Sequence, residues 1–266
     1  MRALRRRRGA LLLFLLGALP GFAAAAPASV DVAVAANFIG TARTLAARFE
    51  AAGGGRVRLS FGSTGSLYAQ IRYGAPFAVF LAADARRPRL LERAGLTVPG
   101  SRFTYALGRL VLWSTLAGLI ERGGKVLAQG RFRHLAIANP RTAPYGAAAR
   151  AVLEHLGLWR RLAPRLVTGE NIAQTYQFVA SGNAQLGFVA LSEVPPAHTP
   201  RAGSRWLVPA ALYPPIRQQA VLLARAAHKR TARAFLAYLR GPAARRVIRA
   251  HGYGLPAAVR TDARRP

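Results

Sequence analysis

The sequence predicts an α/β fold of two lobes with a ligand cleft between them. Short apolar runs rich in valine and alanine alternate with helical segments, the βαβ rhythm of a parallel sheet. That rhythm occurs twice, in blocks on either side of "YALGRLVLWS" (105–114). Extended stretches near 103–113 and 206–221 then read as two crossings of the chain between the blocks. The expected first lobe is 27–105 plus 212–266, and the second is 106–211. In such an arrangement a ligand sits outside the carboxyl ends of the strands, where hinged lobes close on it.

The elements follow in chain order. "MRALRRRRGALLLFLLGALPGFAAAAP" has a basic start, an apolar run over about 10–19 and small residues offering an A-x-A cleavage point at 24–26. It reads as a signal peptide over 1–26, its apolar run too short to span a membrane. "SVDVAVAAN" is too continuously apolar for a solvated face, as in a buried parallel strand. Asn37 follows as an N-cap, and Ile39, Ala42, Leu45, Ala46 and Phe49 share one helical face. "GGG" at 53–55 closes that helix, and "RVRLSFG" is the next strand. A helix over 64–72, the strand "FAVFLAAD" and a helix over 86–94 complete the first block.

In the second block "HLAIANP" is a strand, "PYGAAARAVLEHLGLW" a helix, "TGENIAQTYQFVASG" a helix and "AQLGFVAL" a strand. "RWLVPAALYPPIRQQAVLLAR" returns as extended chain, and "TARAFLAYLRGPAARRVIRAHGY" reads as one terminal helix.

Composition narrows the function. Cysteine is absent, which excludes disulfides, thiolate metal sites and cysteine nucleophiles. The chain carries 39 basic against 9 acidic residues, a formal +30, and the leader's five arginines leave +25 for the rest. Such a field attracts anions. The arginines are scattered through helical segments and form no basic stripe with interleaved aromatics, so nucleic acid is not the expected partner.

Catalytic machinery is hard to find. The five histidines (134, 155, 198, 228, 251) have no metal-ligand spacing, and the carboxylates are dispersed. "GSTG" is not a G-x-S-x-G elbow, and "ERGGKV" lacks the hydroxyl residue of a phosphate loop. No catalytic residue, metal site or cofactor is expected.

What remains is a set of helix starts at strand ends: Asn37, the pair Ser63 and Thr64, Tyr145 just after Pro144, and Ile172 after Asn171. Each offers unpaired backbone N–H groups at the positive end of a helix dipole. With two starts from each lobe, closing the cleft would aim four donor groups at one point. A deprotonated tetrahedral oxyanion accepts hydrogen bonds and donates none, so a donor-only pocket suits it.

Six blocks in order carry a wider resemblance: "VAVAANF", "FGSTGSLYAQIRYGAPFAVFLAAD", "YALGRLVLWS", "ANPRTAPYGAAARAVLEHLGLW", "GENIAQTYQFVASGNAQLGFVALSEV" and "YLRGPAARRVIRAHGYG". In them the chain resembles the periplasmic molybdate-binding proteins of ABC importers. The resemblance implies the two-lobed periplasmic binding-protein fold and a non-enzymatic, monomeric protein. It implies that the protein captures molybdate or tungstate in the periplasm and delivers it to a membrane permease; a sulfate-like anion is the alternative ligand. Carried over, the contacts fall at Asn37, Ser63 and Thr64, and at Tyr145 and Ile172 through their backbone N–H groups. Two positions depart from the family: Ala78 stands where members commonly have Asp, and Ala190 where some have an anion-donating Tyr.

Overall fold

The computed structural model describes residues 28–257 apart from 197–198 and 200–201, so the expected leader lies outside the described residues. The first block runs β1 (Ser29–Ala35), α1 (Ile39–Ala51), β2 (Arg56–Gly62), α2 (Thr64–Arg72), β3 (Val79–Ala82), α3 (Arg86–Arg93) and β4 (Phe103–Gly108). The second runs β5 (Leu110–Ser114), α4 (Val126–Gln129), β6 (Leu135–Ala138), α5 (Pro144–His155) and α6 (Trp159–Leu162). It continues with β7 (Leu166–Gly169), α7 (Ile172–Ala180), β8 (Leu186–Ala190) and β9 (Ser204–Leu207). The chain then returns through β10 (Ile216–Leu222) to α8 (Arg230–Arg240) and α9 (Pro242–Ala250).

Two five-stranded sheets result, ordered β2-β1-β3-β10-β4 and β7-β6-β8-β5-β9. The period-2 alternation of β1 explains its composition. Val30, Val32 and Val34 enter one core with Leu45 and Phe49 of α1 and Phe235 of α8, while Ala33 enters another with Leu67 of α2 and Leu91 of α3. Helices therefore cover both faces. In the second sheet Leu110 and Leu112 pack against Val152 and Leu153 of α5, and Val111 and Trp113 against Val179 of α7.

Both sheets are mixed, where a parallel sheet was expected. β1, β2 and β3 are parallel, and β10 is antiparallel to β3 and β4. Likewise β6 is parallel to β7 and β8, and β5 is antiparallel to β8 and β9. The cause is the crossing geometry. β4 leaves the first sheet on the side where the parallel strands end, so β5 enters the second sheet from that same side and runs against its neighbours. β9 and β10 repeat the manoeuvre in reverse.

The crossing expected at "YALGRLVLWS" is made by two strands in different sheets, with only Arg109 between them. Three further expectations are corrected. The short strand β7 was not foreseen, because four residues are too few for a period. The helix expected over 144–159 stops at His155, and α6 is separate. The terminal helix is broken at Gly241, whose extended ψ of 164° precedes Pro242 at the first position of α9.

Candidate functional site

The first wall is built at the start of α2. Ser63 is extended (φ −67°, ψ 148°) and caps the helix, its Oγ accepting from the Ser66 N–H at 3.2 Å. Leu67 N–H reaches the Ser63 carbonyl at 3.0 Å, and Gly65 N–H crosses the cleft to the Thr142 carbonyl at 2.8 Å. Of the first-turn donors, the Thr64 N–H is left without an intrahelical acceptor. Thr64 Oγ1 accepts from the Ala83 N–H at 3.0 Å, which ties the turn to the end of β3 and leaves the hydroxyl proton to donate.

The second wall is assembled from two helix starts. In α5, Pro144 occupies the first position and has no N–H to lose. Ala147 N–H bonds to the Ala143 carbonyl at 3.0 Å. Tyr145 and Gly146 between them carry N–H groups with no intrahelical acceptor. In α7, Asn171 caps: its Oδ1 accepts from Gln174 N–H at 3.1 Å and its carbonyl from Thr175 N–H at 3.1 Å. The Ile172 and Ala173 N–H groups remain.

Asn37, Ser63, Thr64, Tyr145 and Ile172 all line one cavity, with Asn171 beside them. Each of the five is 1–3% exposed. The cavity leaves about 10 Å³ for the centre of a water-sized sphere, close to the minimum for one water. Among the described residues, no charged side chain lines the cavity. At the rim, Arg87 pairs with Asp84 and donates to the Arg141 carbonyl at 2.8 Å, a second bond across the cleft.

Asn37 is not the N-cap expected. It sits inside a 3₁₀ turn (Ala36–Phe38), α1 begins two residues later, and no side chain caps either helix. Its carboxamide turns inward instead, Nδ2 donating to Gln218 Oε1 and to Tyr253 Oη, each at 3.0 Å. Tyr253 Oη donates to the Asn37 carbonyl at 2.6 Å and lies 2.9 Å from Ser192 Oγ. Ile39 also leaves its expected face and packs against the second lobe's core.

The groups behind the cavity are held neutral. Burial pushes the phenols of Tyr105, Tyr145 and Tyr253 well above their ordinary range. Burial also pushes Glu193 up to about 8, a backbone hydrogen bond at Ala190 pulling the other way. Its Oε2 is closed off from solvent and has no hydrogen-bond partner, although the residue as a whole is half-buried.

Sequence reasoning missed Tyr105, Ser192, Glu193, Gln218 and Tyr253. One signal was available, the pair of glutamines inside the otherwise apolar strand "IRQQAVLL". The two departures lie outside the cavity lining. Ala78 has both backbone groups paired, N–H to the Asp31 carbonyl at 2.8 Å and carbonyl to Leu223 N–H at 2.9 Å. Ala190 is buried at the end of β8.

Comparison with known proteins adds to this geometry. Residues 30–254 match the family described as bacterial extracellular solute-binding protein. The chain is 54% identical over 232 residues to a molybdate-binding protein ModA of Azotobacter vinelandii, spanning 87% of this chain and 92% of that protein. It is 48% identical over 229 residues to the ModA of Rhodobacter capsulatus, spanning 86% and 89%. The solved periplasmic molybdate-binding protein of A. vinelandii superposes with a TM-score of 0.83 at 47% identity, covering 85% of this chain and 99% of that one.

Proposed function

The chain belongs to the bacterial extracellular solute-binding protein family, among its molybdate-binding members, and on that premise we propose that Asn37, Ser63, Thr64, Tyr145 and Ile172 hold the oxyanion. It is a solute-binding protein of an ABC importer and not an enzyme. One observation supports the site reading: residues at helix starts on both sides of the cleft, Ser63 and Thr64, Tyr145 and Ile172, line one cavity, and no charged side chain is among its described lining residues; Ser63 Oγ, which donates to Ser66 Oγ at 2.9 Å, would turn to the anion.

Capture follows from that geometry. A molybdate or tungstate dianion entering the parted cleft meets the donors of one wall, and closure brings up those of the other. Hydrogen bonds to a charged acceptor contribute roughly 1.5–3 kcal/mol each, and they strengthen as water leaves. The charge is met by dipoles alone, so opening breaks no ion pair and the anion can be released. Phosphate suits the site less well, because its remaining proton calls for a carboxylate acceptor, and no carboxylate is among the described lining residues. The reading extends to a monomer, exported by the leader over 1–26, that docks on a membrane permease. The lobes are proposed as 27–105 plus 212–266 and 106–211.

Binding calorimetry on the chain lacking that leader tests it. Molybdate and tungstate both release or absorb heat with one-to-one stoichiometry, and sulfate competes poorly. Heat from neither oxyanion, or a clear preference for sulfate, overturns the ligand assignment.

A further inference from the structure

Behind the cavity, and outside its lining, lies a carboxamide that anion capture does not obviously need. Gln218 is fully buried in β10, where the ladder with β4 shifts register. Its Oε1 accepts from Asn37 Nδ2 and from Tyr105 Oη, each at 3.0 Å, and its Nε2 donates to Tyr145 Oη at 3.3 Å. Asn37 belongs to the cavity's first wall and Tyr145 to its second. One side chain on a crossing strand thus touches both. The approach is close: a Cβ on Gly108 would lie 2.5 Å from Tyr145 Oη and 3.0 Å from Gln218 Nε2.

We propose that Gln218 is a positioning residue for anion capture, joining Asn37 of one lobe to Tyr145 of the other so that the backbone donors of both walls converge. The proposal rests on the oxyanion reading of the cavity. A carboxamide suits the task because it accepts at one end and donates at the other in the same plane. A hydrocarbon of similar size takes one partner from Asn37 Nδ2 and from Tyr105 Oη, which keep Tyr253 Oη and the Ala82 carbonyl, and removes the donor to Tyr145 Oη. A carboxylate cannot donate to Tyr145 and sets a negative charge behind a dianion. The ionisable groups around it are Tyr105 on β4, Tyr145 on α5, Tyr253 beyond α9 and Glu193 beyond β8, and burial favours the neutral form of each.

The test compares wild type with Gln218→Glu and Gln218→Leu by calorimetry with molybdate from about pH 5.5 to about pH 9, with thermal unfolding of the ligand-free proteins as the folding control. A protonated glutamic acid reproduces one donor and one acceptor, and an ionised one does not. Gln218→Glu is therefore expected to bind within about threefold of wild type at the acid end and at least about tenfold more weakly at the alkaline end, each against wild type at the same pH. Gln218→Leu is expected to be about tenfold weaker throughout, and adding Tyr145→Phe to it should cost less than Tyr145→Phe costs alone. A structural defect moves affinity without that pH signature. A wild-type-like Gln218→Leu, or a flat Gln218→Glu ratio together with additive losses, overturns the proposal. Failure of wild type to bind molybdate overturns the underlying reading, and this proposal with it.

Discussion

The two walls of the cleft present donors of different kinds. In the proposed site the first offers hydroxyl side chains, Ser63 and Thr64, beside its backbone; the second offers the peptide N–H groups of Tyr145 and Ile172. A side-chain donor is lost to an ordinary substitution, whereas a peptide donor survives every substitution except proline. The first wall is thus specified by residue identity and the second by where helices begin.

The sharpest way to break that contrast is Ile172→Pro. Ile172 opens α7 after an extended Asn171 (φ −145°, ψ 176°), a place where proline is tolerated. The N–H is removed along with part of a buried core side chain, and molybdate affinity should fall about 100-fold, near 3 kcal/mol. Ile172→Val should stay within about threefold, because it keeps that donor. Equal losses in calorimetry would show that the side chain matters after all.

Gly65→Ala probes the contact between the walls. A Cβ there would approach Thr142 Cα and its carbonyl oxygen to 2.9 Å, so the lobes cannot close fully. Affinity should drop about tenfold while the ligand-free melting temperature holds or rises, since alanine favours a helix over glycine. X-ray scattering of the ligand-bound variant should report a larger radius of gyration than wild type. An unchanged radius and affinity would remove this contact from closure.

Ser63→Ala sharpens the first-wall half. It removes both a cap, worth about 1 kcal/mol of stability, and a hydroxyl donor, so a melting point lower by a few degrees should accompany roughly fivefold weaker binding. A stability loss with intact affinity would leave Ser63 as a cap alone.

Glu193→Gln should have the smallest effect on binding. Its carboxyl titrates from about 8 when folded against an ordinary 4.5, so the native state holds a proton that the unfolded chain releases. The associated stability is fully present below about pH 4.5 and is lost as pH rises through about 8. The variant should flatten that decline and melt higher than wild type at alkaline pH. Parallel melting-temperature curves for the two proteins would contradict it.

Much of the architecture was legible because it is local. β2 and α2 fall where the alternation and the Ser63 cap put them, and Pro144 and Asn171 mark the other helix starts. Asn37 shows the limit. Its type suggested a cap, but its carboxamide bonds to residues 181 and 216 positions away, contacts that no local pattern encodes. Strand direction in the sheets was hidden for the same reason: nothing in the composition of β5 or β10 marks direction, and only the crossings fix which way they point.

The position of β10 has a consequence for assembly. The first and last strands of the described chain, β1 and β10, belong to the first sheet, and this late strand lies between β3 and β4, inside the order set by earlier residues. The second sheet, by contrast, draws only on the contiguous stretch from Leu110 to Leu207. A polypeptide emerging amino end first can complete its inserted half while the enclosing half still waits for its last interior strand. On that order the middle of the chain is expected to fold ahead of its flanks, and the cleft is complete only once β10 joins the first sheet.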